Sequence, residues 1–303
     1  MLRSPFSGIV DALASTLLPI SCSVCGAPQP HLSSAPICSA CWQEVQAQSG
    51  THCARCADDL DASISPPAAP PAAPSVAQPA LCRYCRLAPP PFQRAVAFGP
   101  YVGRMRGIIF AFKYQGLRPA ATGLGNRLAQ AIATLAPNAP AEMLVVPIPL
   151  HRSKFRRRGF NQSQLLAAQA LRRLRRTHPA WRLTLAPGLL QRRRATLSQA
   201  GLSWHQRRTN VLDAFTVARP SIVPSVVKDR AILLVDDIVT TGATARSAAR
   251  ALLNAGASSV FVAALARAGR FAPDFVANAE LLNLHPYPPD APPGKPNLLP
   301  IRL

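Results

Sequence analysis

The sequence predicts an α/β protein built on a parallel sheet, with a small metal-held module at its N-terminal end. Three observations lead there. From about Phe92 onward, short apolar runs alternate with segments whose apolar residues recur every three or four positions, as strands joined by helical crossovers do. One such run, Ile232-Leu233-Leu234-Val235, leads into two adjacent carboxylates, Asp236 and Asp237, and then into a small-residue turn that opens a helix. All eight cysteines precede residue 86 and fall into four C-x-x-C pairs.

At 303 residues the chain has room for a domain of about 200 residues plus a smaller module. Its 34 Lys and Arg against 13 Asp and Glu give a formal charge of +21, which points to phosphorylated ligands or polyanionic partners. In residues 1–20, Phe6, Ile9, Val10, Leu13 and Leu17 suit a short amphipathic helix. Asp11 interrupts the apolar stretch and no small-x-small cleavage site follows, so this is not read as a signal peptide. Ser21-Cys22 has the look of a lipoprotein signal's end, but Pro19 fits poorly and Cys22 belongs to a C-x-x-C pair. No run of 18 apolar residues is present, so no membrane span is expected and a cytoplasmic location follows.

The pairs Cys22/Cys25, Cys38/Cys41, Cys53/Cys56 and Cys82/Cys85 are knuckles, two of which supply four thiolates to one zinc ion. Two zinc sites are therefore expected, with disulfide or redox use of the thiols as the competing reading. Pairing in sequence order joins Cys22, Cys25, Cys38 and Cys41, then Cys53, Cys56, Cys82 and Cys85; an interleaved order remains open. The Pro/Ala-rich stretch at 61–80 lengthens the second loop, and a longer loop costs little extra closure entropy. Four thiolates leave no open metal position, so the module's role is structure or partner docking rather than zinc chemistry.

Beyond Phe92, Ala95–Phe98 reads as a strand, Met105–Phe112 as a helix, and Leu124, Leu128, Ile132 and Leu135 mark another. Met143–Ile148 reads as a strand that runs into a turn at Leu150, His151 and Arg152 and a basic segment ending Arg158-Gly159-Phe160-Asn161-Gln162. Gln164–Leu174 is helical, Ile232–Val235 is the central strand, a helix runs to Asn254 with Ala255-Gly256 as its stop, and Ser259–Leu265 is the next strand. Residues 151–208 contain fifteen Lys and Arg and no acid. Arg156, Arg157 and Arg158 suit a nucleic-acid backbone, with Phe155, Phe160, Trp181 and Trp204 available for stacking, unless arginine simply crowds the helix faces.

The turn after Asp237 is Thr240-Thr241-Gly242-Ala243-Thr244. A small-residue loop opening a helix is an anion site, because its N–H groups point outward along the helix dipole. The threonine hydroxyls add donors, and the two carboxylates beside them suit ribose hydroxyls.

This segment resembles the 5-phosphoribosyl-1-pyrophosphate (PRPP) signature of type I phosphoribosyltransferases. The resemblance implies that Asp236 and Asp237 take the ribose hydroxyls, and Thr240, Thr241, Gly242 and Thr244 the 5-phosphate. It further implies that the Leu150–Arg152 turn grips pyrophosphate accompanied by Mg2+. A catalytic role for His151 competes with a plain hydrogen-bonding one. The segment from Arg194 to Gln199 and on to Val211 resembles a flexible loop that closes over the anomeric carbon, with Arg194 and Gln199 as its candidate catalytic residues; a solvated basic hairpin is the alternative. The knuckles, Phe112-Lys113-Tyr114, Pro147–Arg152, Arg158–Gln162 and the PRPP loop occur in the order seen in the ComF (GntX-like) family, a double zinc ribbon joined to a type I phosphoribosyltransferase fold. The implied organisation is a helix at 1–20, the double zinc ribbon at 21–91, the phosphoribosyltransferase domain at 92–285 and a Pro-rich tail at 286–303.

Two functions follow from the resemblance. One is a phosphoribosyltransferase associated with DNA uptake in natural competence. The other is a non-catalytic protein that binds single-stranded DNA, works with competence-machinery proteins and senses PRPP or a nucleotide. Thr240 stands where purine-using relatives carry an acid, which argues against simple purine salvage. The chain has no glutaminase domain with an N-terminal nucleophilic cysteine, so ammonia transfer from glutamine is not expected.

Overall fold

Five strands form the main sheet, four of them on largely apolar runs. They are β1 (Arg94–Pro100), β2 (Glu142–Pro147), β3 (Arg182–Leu185), β6 (Ala231–Val239) and β7 (Ser259–Arg267), all parallel, in the order β1-β7-β6-β2-β3. A separate antiparallel pair joins β4 (Leu190–Arg192) to β5 (Phe215–Val217). The computed structural model describes residues 21–29, 36–60, 79–193, 214–218 and 224–269. The helix expected at 1–20, most of the Pro/Ala stretch, Arg194 and Gln199, and everything after residue 269 lie outside the described residues.

Helices α3 (Gly103–Tyr114), α4 (Ala121–Ala133) and α6 (Gln162–Thr177) cover one face of the sheet, and α7 (Ala243–Asn254) covers the other; α1 (Ser39–Gln43) and α2 (Arg83–Leu87) are short turns in the cysteine module. Coverage on both sides explains why the central strands read as unbroken apolar runs. In β6, Leu233 and Val235 pack with Phe112, Leu124, Leu128 and Leu166, while Ile232 and Leu234 pack with Ala245, Ala248 and Leu252.

β6 extends further than its apolar run. The acidic pair lies inside the strand, which continues to Val239. Parallel pairing with β7 through Asp236, Ile238 and Val239 holds that continuation. Helix α5 (Arg152–Arg158) occupies what reads in the sequence as a basic turn. His151 caps its start and Gly159, in the left-handed region at φ 74°, ends it. β3 carries little apolar signal of its own; its pairing with β2 and the ion pair from Arg182 to Glu142 form it at the edge.

The cysteine module covers the opposite edge, on β1. Ala95 donates its N–H to the carbonyl of Arg55 at 2.8 Å, and the Phe98 carbonyl accepts from Gln48 at 2.6 Å. A sheet edge that would otherwise offer unpaired backbone groups is thereby closed. Cys22 and Cys41 belong to the same buried cluster as Phe112 and Leu124. Arg127 of α4 stacks 4.5 Å over the Trp42 ring and donates to its carbonyl at 2.7 Å.

Candidate functional site

Two loops and one helix converge at the carboxyl edge of β6. Alternation along a strand sends adjacent side chains to opposite faces, so Asp236 and Asp237 meet different partners. Asp237 is buried and forms an ion pair with Lys113 of α3 at 2.8 Å. Burial alone would push Lys113 down, but the Asp237 carboxylate outweighs it and raises Lys113 above the ordinary lysine range. Asp236 is partly exposed, accepts from the Ser163 hydroxyl at 3.2 Å and from the Asp237 N–H at 2.9 Å. Burial of the carboxyl, then the adjacent Asp237 charge, push Asp236 up to about 7.

Beyond the pair, Gly242 adopts φ 75° and opens α7 without any side-chain cap. A Cβ there would touch nothing within 4 Å, so glycine is required for the left-handed backbone and not for space. The Thr241 hydroxyl accepts the Ala243 N–H at 3.3 Å, and Thr240, Thr241 and Thr244 remain partly exposed. A small recess of about 10 Å3, open to solvent, is lined by Asp236, Thr240, Gly242 and Thr244, among others. Gly242 is partly exposed with these threonines, and Ala243 between Gly242 and Thr244 is buried.

The loop after β2 approaches from the side. Leu150 and Arg152 line a second depression with Phe155 and Arg156. His151 accepts the Ser153 N–H on Nδ1 at 3.3 Å and lies 2.8 Å from the Ser153 hydroxyl, so it serves as a helix cap. Asn161 ties this loop to α6: its amide donates to the Ile148 carbonyl at 3.1 Å, and its oxygen caps the N–H groups of Ser163 and Gln164. Burial, then the charges of Arg192, Arg158, Arg157 and Lys113, push Lys154 down, a concentration of cations that an anion would relieve. Burial also lowers Arg192, which the Asp236 charge opposes. Arg156 and Arg157 are exposed on α5, whereas Arg158 is half-buried, bonds Gln162 at 2.6 Å and lies 5.1 Å over the Tyr114 ring.

Lys113, Ser163, Arg192 and Arg267 escape a reading of the sequence as site residues. Lys113 alone leaves a trace, inside the Phe112-Lys113-Tyr114 motif that contributes to the family resemblance without a role assigned to it.

The eight cysteines gather into two clusters in sequence order, Cys22/Cys25/Cys38/Cys41 and Cys53/Cys56/Cys82/Cys85, with the sulfurs of each within 4.8 Å of one another. Metal–sulfur bonds of about 2.3 Å in a tetrahedron place sulfurs roughly 3.8 Å apart. The Cys22–Cys41, Cys25–Cys38 and Cys56–Cys82 separations are 3.8, 3.7 and 3.6 Å. Each cluster can hold a metal ion, and the donor set and spacing are those of structural zinc. Although burial opposes it, backbone N–H groups of Cys38, Cys25 and Val24 bring the Cys22 thiol down to about 6.

The parallel sheet is covered by helices on both faces with a small-residue loop at the carboxyl edge of β6, and residues 194–275 match the phosphoribosyl transferase domain family, which defines the fold as a phosphoribosyltransferase one. The chain is 32% identical over 188 residues to the DNA utilization protein YhgH of Escherichia coli (strain K12), which covers 61% of this chain and 77% of that protein. It is 27% identical over 240 residues to Competence protein F of Haemophilus influenzae, covering 78% of this chain and 93% of the relative. With its two four-cysteine clusters, the chain belongs to the ComF family. A hypoxanthine-guanine phosphoribosyltransferase of Schistosoma mansoni, solved with IMP, is 18% identical and covers 50% of this chain and 57% of that one; its TM-score of 0.28 is too low to carry an argument.

Proposed function

We propose that this chain binds PRPP at the β6–α7 loop and acts as a phosphoribosyltransferase-like protein in DNA uptake. The observation that carries the reading is the partly exposed turn that sets Thr240, Gly242 and Thr244 around a small recess beside Asp236. Asp236 and Asp237 would hold the ribose hydroxyls, and the amides and hydroxyls of Thr240–Thr244 the 5-phosphate. The turn at Leu150, His151 and Arg152 would face the pyrophosphate, with Lys154 and Arg192 adding charge. Mg2+ bound with PRPP would neutralise the leaving group. Arg194 and Gln199, in the segment bracketed by β4 and β5, would close over the anomeric carbon. Departure of pyrophosphate then needs positioning and charge stabilisation rather than a covalent step on the protein. Zinc in both clusters is structural in this reading, the module spans 21–91 and the phosphoribosyltransferase domain 92–285, and the protein works in the cytoplasm.

Calorimetric titration with PRPP and Mg2+ tests the site. Wild-type protein should bind, and the Asp236→Asn/Asp237→Asn variant should lose at least about tenfold in affinity. Binding that survives in the variant refutes the assignment. Pyrophosphate release across candidate acceptors then separates a transferase from a sensor.

A second reading, binding of single-stranded DNA without turnover, is favoured by one surface. Phe155 and Tyr114 are 48% and 59% exposed, beside the exposed Arg156 and Arg157 and the Arg158 guanidinium over Tyr114. Bases stack on such rings while arginines take the phosphates. Replacing Arg156, Arg157 and Arg158 by Ala should weaken oligonucleotide binding and lower its salt slope by about one per lost phosphate contact. An unchanged slope removes α5 from DNA binding.

A further inference from the structure

An anion nest needs support behind it. A trans peptide plane is rigid, so fixing one carbonyl's direction aims the next residue's N–H the opposite way. Arg267 does this for the Thr240 carbonyl and shares the preceding Val239 carbonyl with the Ala268 N–H, which donates to it at 2.9 Å. From the end of β7, 3% exposed, its Nη1 donates to the Val239 carbonyl at 3.1 Å and to the Thr240 carbonyl. The N–H groups on the far side of those planes belong to Thr240 and Thr241, the first residues of the phosphate loop.

A guanidinium so deeply buried requires a counter-charge. Asp58 provides it, 6% exposed, with Oδ1 2.9 Å from the Arg267 Nη2. Asp58 follows the Cys53/Cys56 knuckle of the second cluster, two residues after Cys56, and its own carbonyl accepts the Cys53 N–H at 2.8 Å. Ala57 before it holds a left-handed φ of 56°, and its carbonyl accepts from Gln48 at 2.8 Å. One chain of contacts therefore runs from the second thiolate cluster through Asp58 and Arg267 to the loop. The first cluster meets the α/β core elsewhere, through Cys22 and Cys41 in the helix-side cluster and through Trp42 against Arg127 of α4.

We propose that Asp58 and Arg267 are positioning residues that couple the second metal site to the phosphate loop. With metal in place the knuckle holds Asp58, Asp58 holds Arg267, and Arg267 aims the Thr241 amide at the anion and helps the Ala268 N–H to aim that of Thr240. The proposal rests on reading this loop as the PRPP phosphate site. Coupling of two sites is reciprocal, so a ligand on the loop must tighten the second metal site and leave the first nearly unchanged.

The test uses the full zinc-loaded chain. A zinc-selective chelator and a thiol-alkylating reagent are added with and without saturating PRPP and Mg2+, and labelling of each cysteine is followed by peptide mass spectrometry. PRPP should slow labelling of Cys53, Cys56, Cys82 and Cys85 by at least about fivefold, with little effect on Cys22, Cys25, Cys38 and Cys41. Equal slowing of both clusters, or none while calorimetry shows PRPP bound, overturns the coupling. Failure of the wild-type chain to bind PRPP overturns the loop reading itself and the coupling with it, so the two failures are told apart. In a second arm, Asp58→Asn should retain two zinc ions, lose about tenfold in PRPP affinity and show faster amide exchange at Thr240 and Thr241. Retained affinity with both metals bound refutes the proposal. Should that variant not fold, the wild-type labelling decides alone.

Discussion

Asp236 and Asp237 are neighbours in sequence with opposite electrostatic fates. Asp237 is neutralised by Lys113, whereas Asp236 has a hydroxyl and an amide for partners and a like charge beside it. The raised Asp236 carboxyl means the folded chain binds more protons than the unfolded chain between its ordinary carboxylate range near 3.8 and about 7. Stability therefore falls as pH rises through that window. Asp236→Asn should flatten the slope and stabilise the free protein at pH 8 by on the order of 1 kcal/mol, after allowing for partial exposure, while it weakens PRPP binding. Thermal melts of both proteins from pH 4 to 8 check this; parallel curves would show that Asp236 carries no such strain. Lys113→Met should act in the other direction. It leaves Asp237 buried beside no cation of its own and should cost about 3 kcal/mol in urea unfolding at pH 7.

The elements around the site are set by caps and edges more than by their apolar patterns. Asn161 both caps α6 and holds the Ile148 carbonyl, so it fixes the angle between the loop after β2 and the helix that carries Ser163. Asn161→Ala should cost about 1 kcal/mol from the lost cap and shift PRPP affinity as well, since Ser163 contacts Asp236. A stability loss without any change in affinity would limit Asn161 to its capping role. α6, α7 and the long strands are legible in the sequence because their apolar spacing repeats over several turns or runs unbroken. α5 and β3 are not. α5 is all basic apart from Ser153 and Phe155, and its existence depends on a histidine cap and a left-handed glycine. β3 owes its form to its neighbour's ladder.

In the whole molecule the cysteine module is part of the core and not an appendage. Gly99 of β1 lies so close to it that a Cβ would stand 2.2 Å from the Gln46 carbonyl oxygen, a backbone atom with little room to yield. Gly99→Ala should therefore loosen the module. Chelation should lower the melting midpoint by at least about 5 °C, because Cys22 and Cys41 share a buried cluster with the α/β helices. A midpoint unmoved with both metals removed would show that the thiols hold the edge unaided.

Residue types and spacing alone determined the knuckles, the parallel sheet and the acidic pair followed by a threonine-rich turn, because each is a local pattern whose chemistry lies within a few positions. Tertiary structure alone decided which carboxylate meets Lys113, that His151 caps a helix, and that Asp58 reaches Arg267 across a separation of more than two hundred residues. Contacts of that kind arise from packing, and neither partner's sequence surroundings encode where the other will lie.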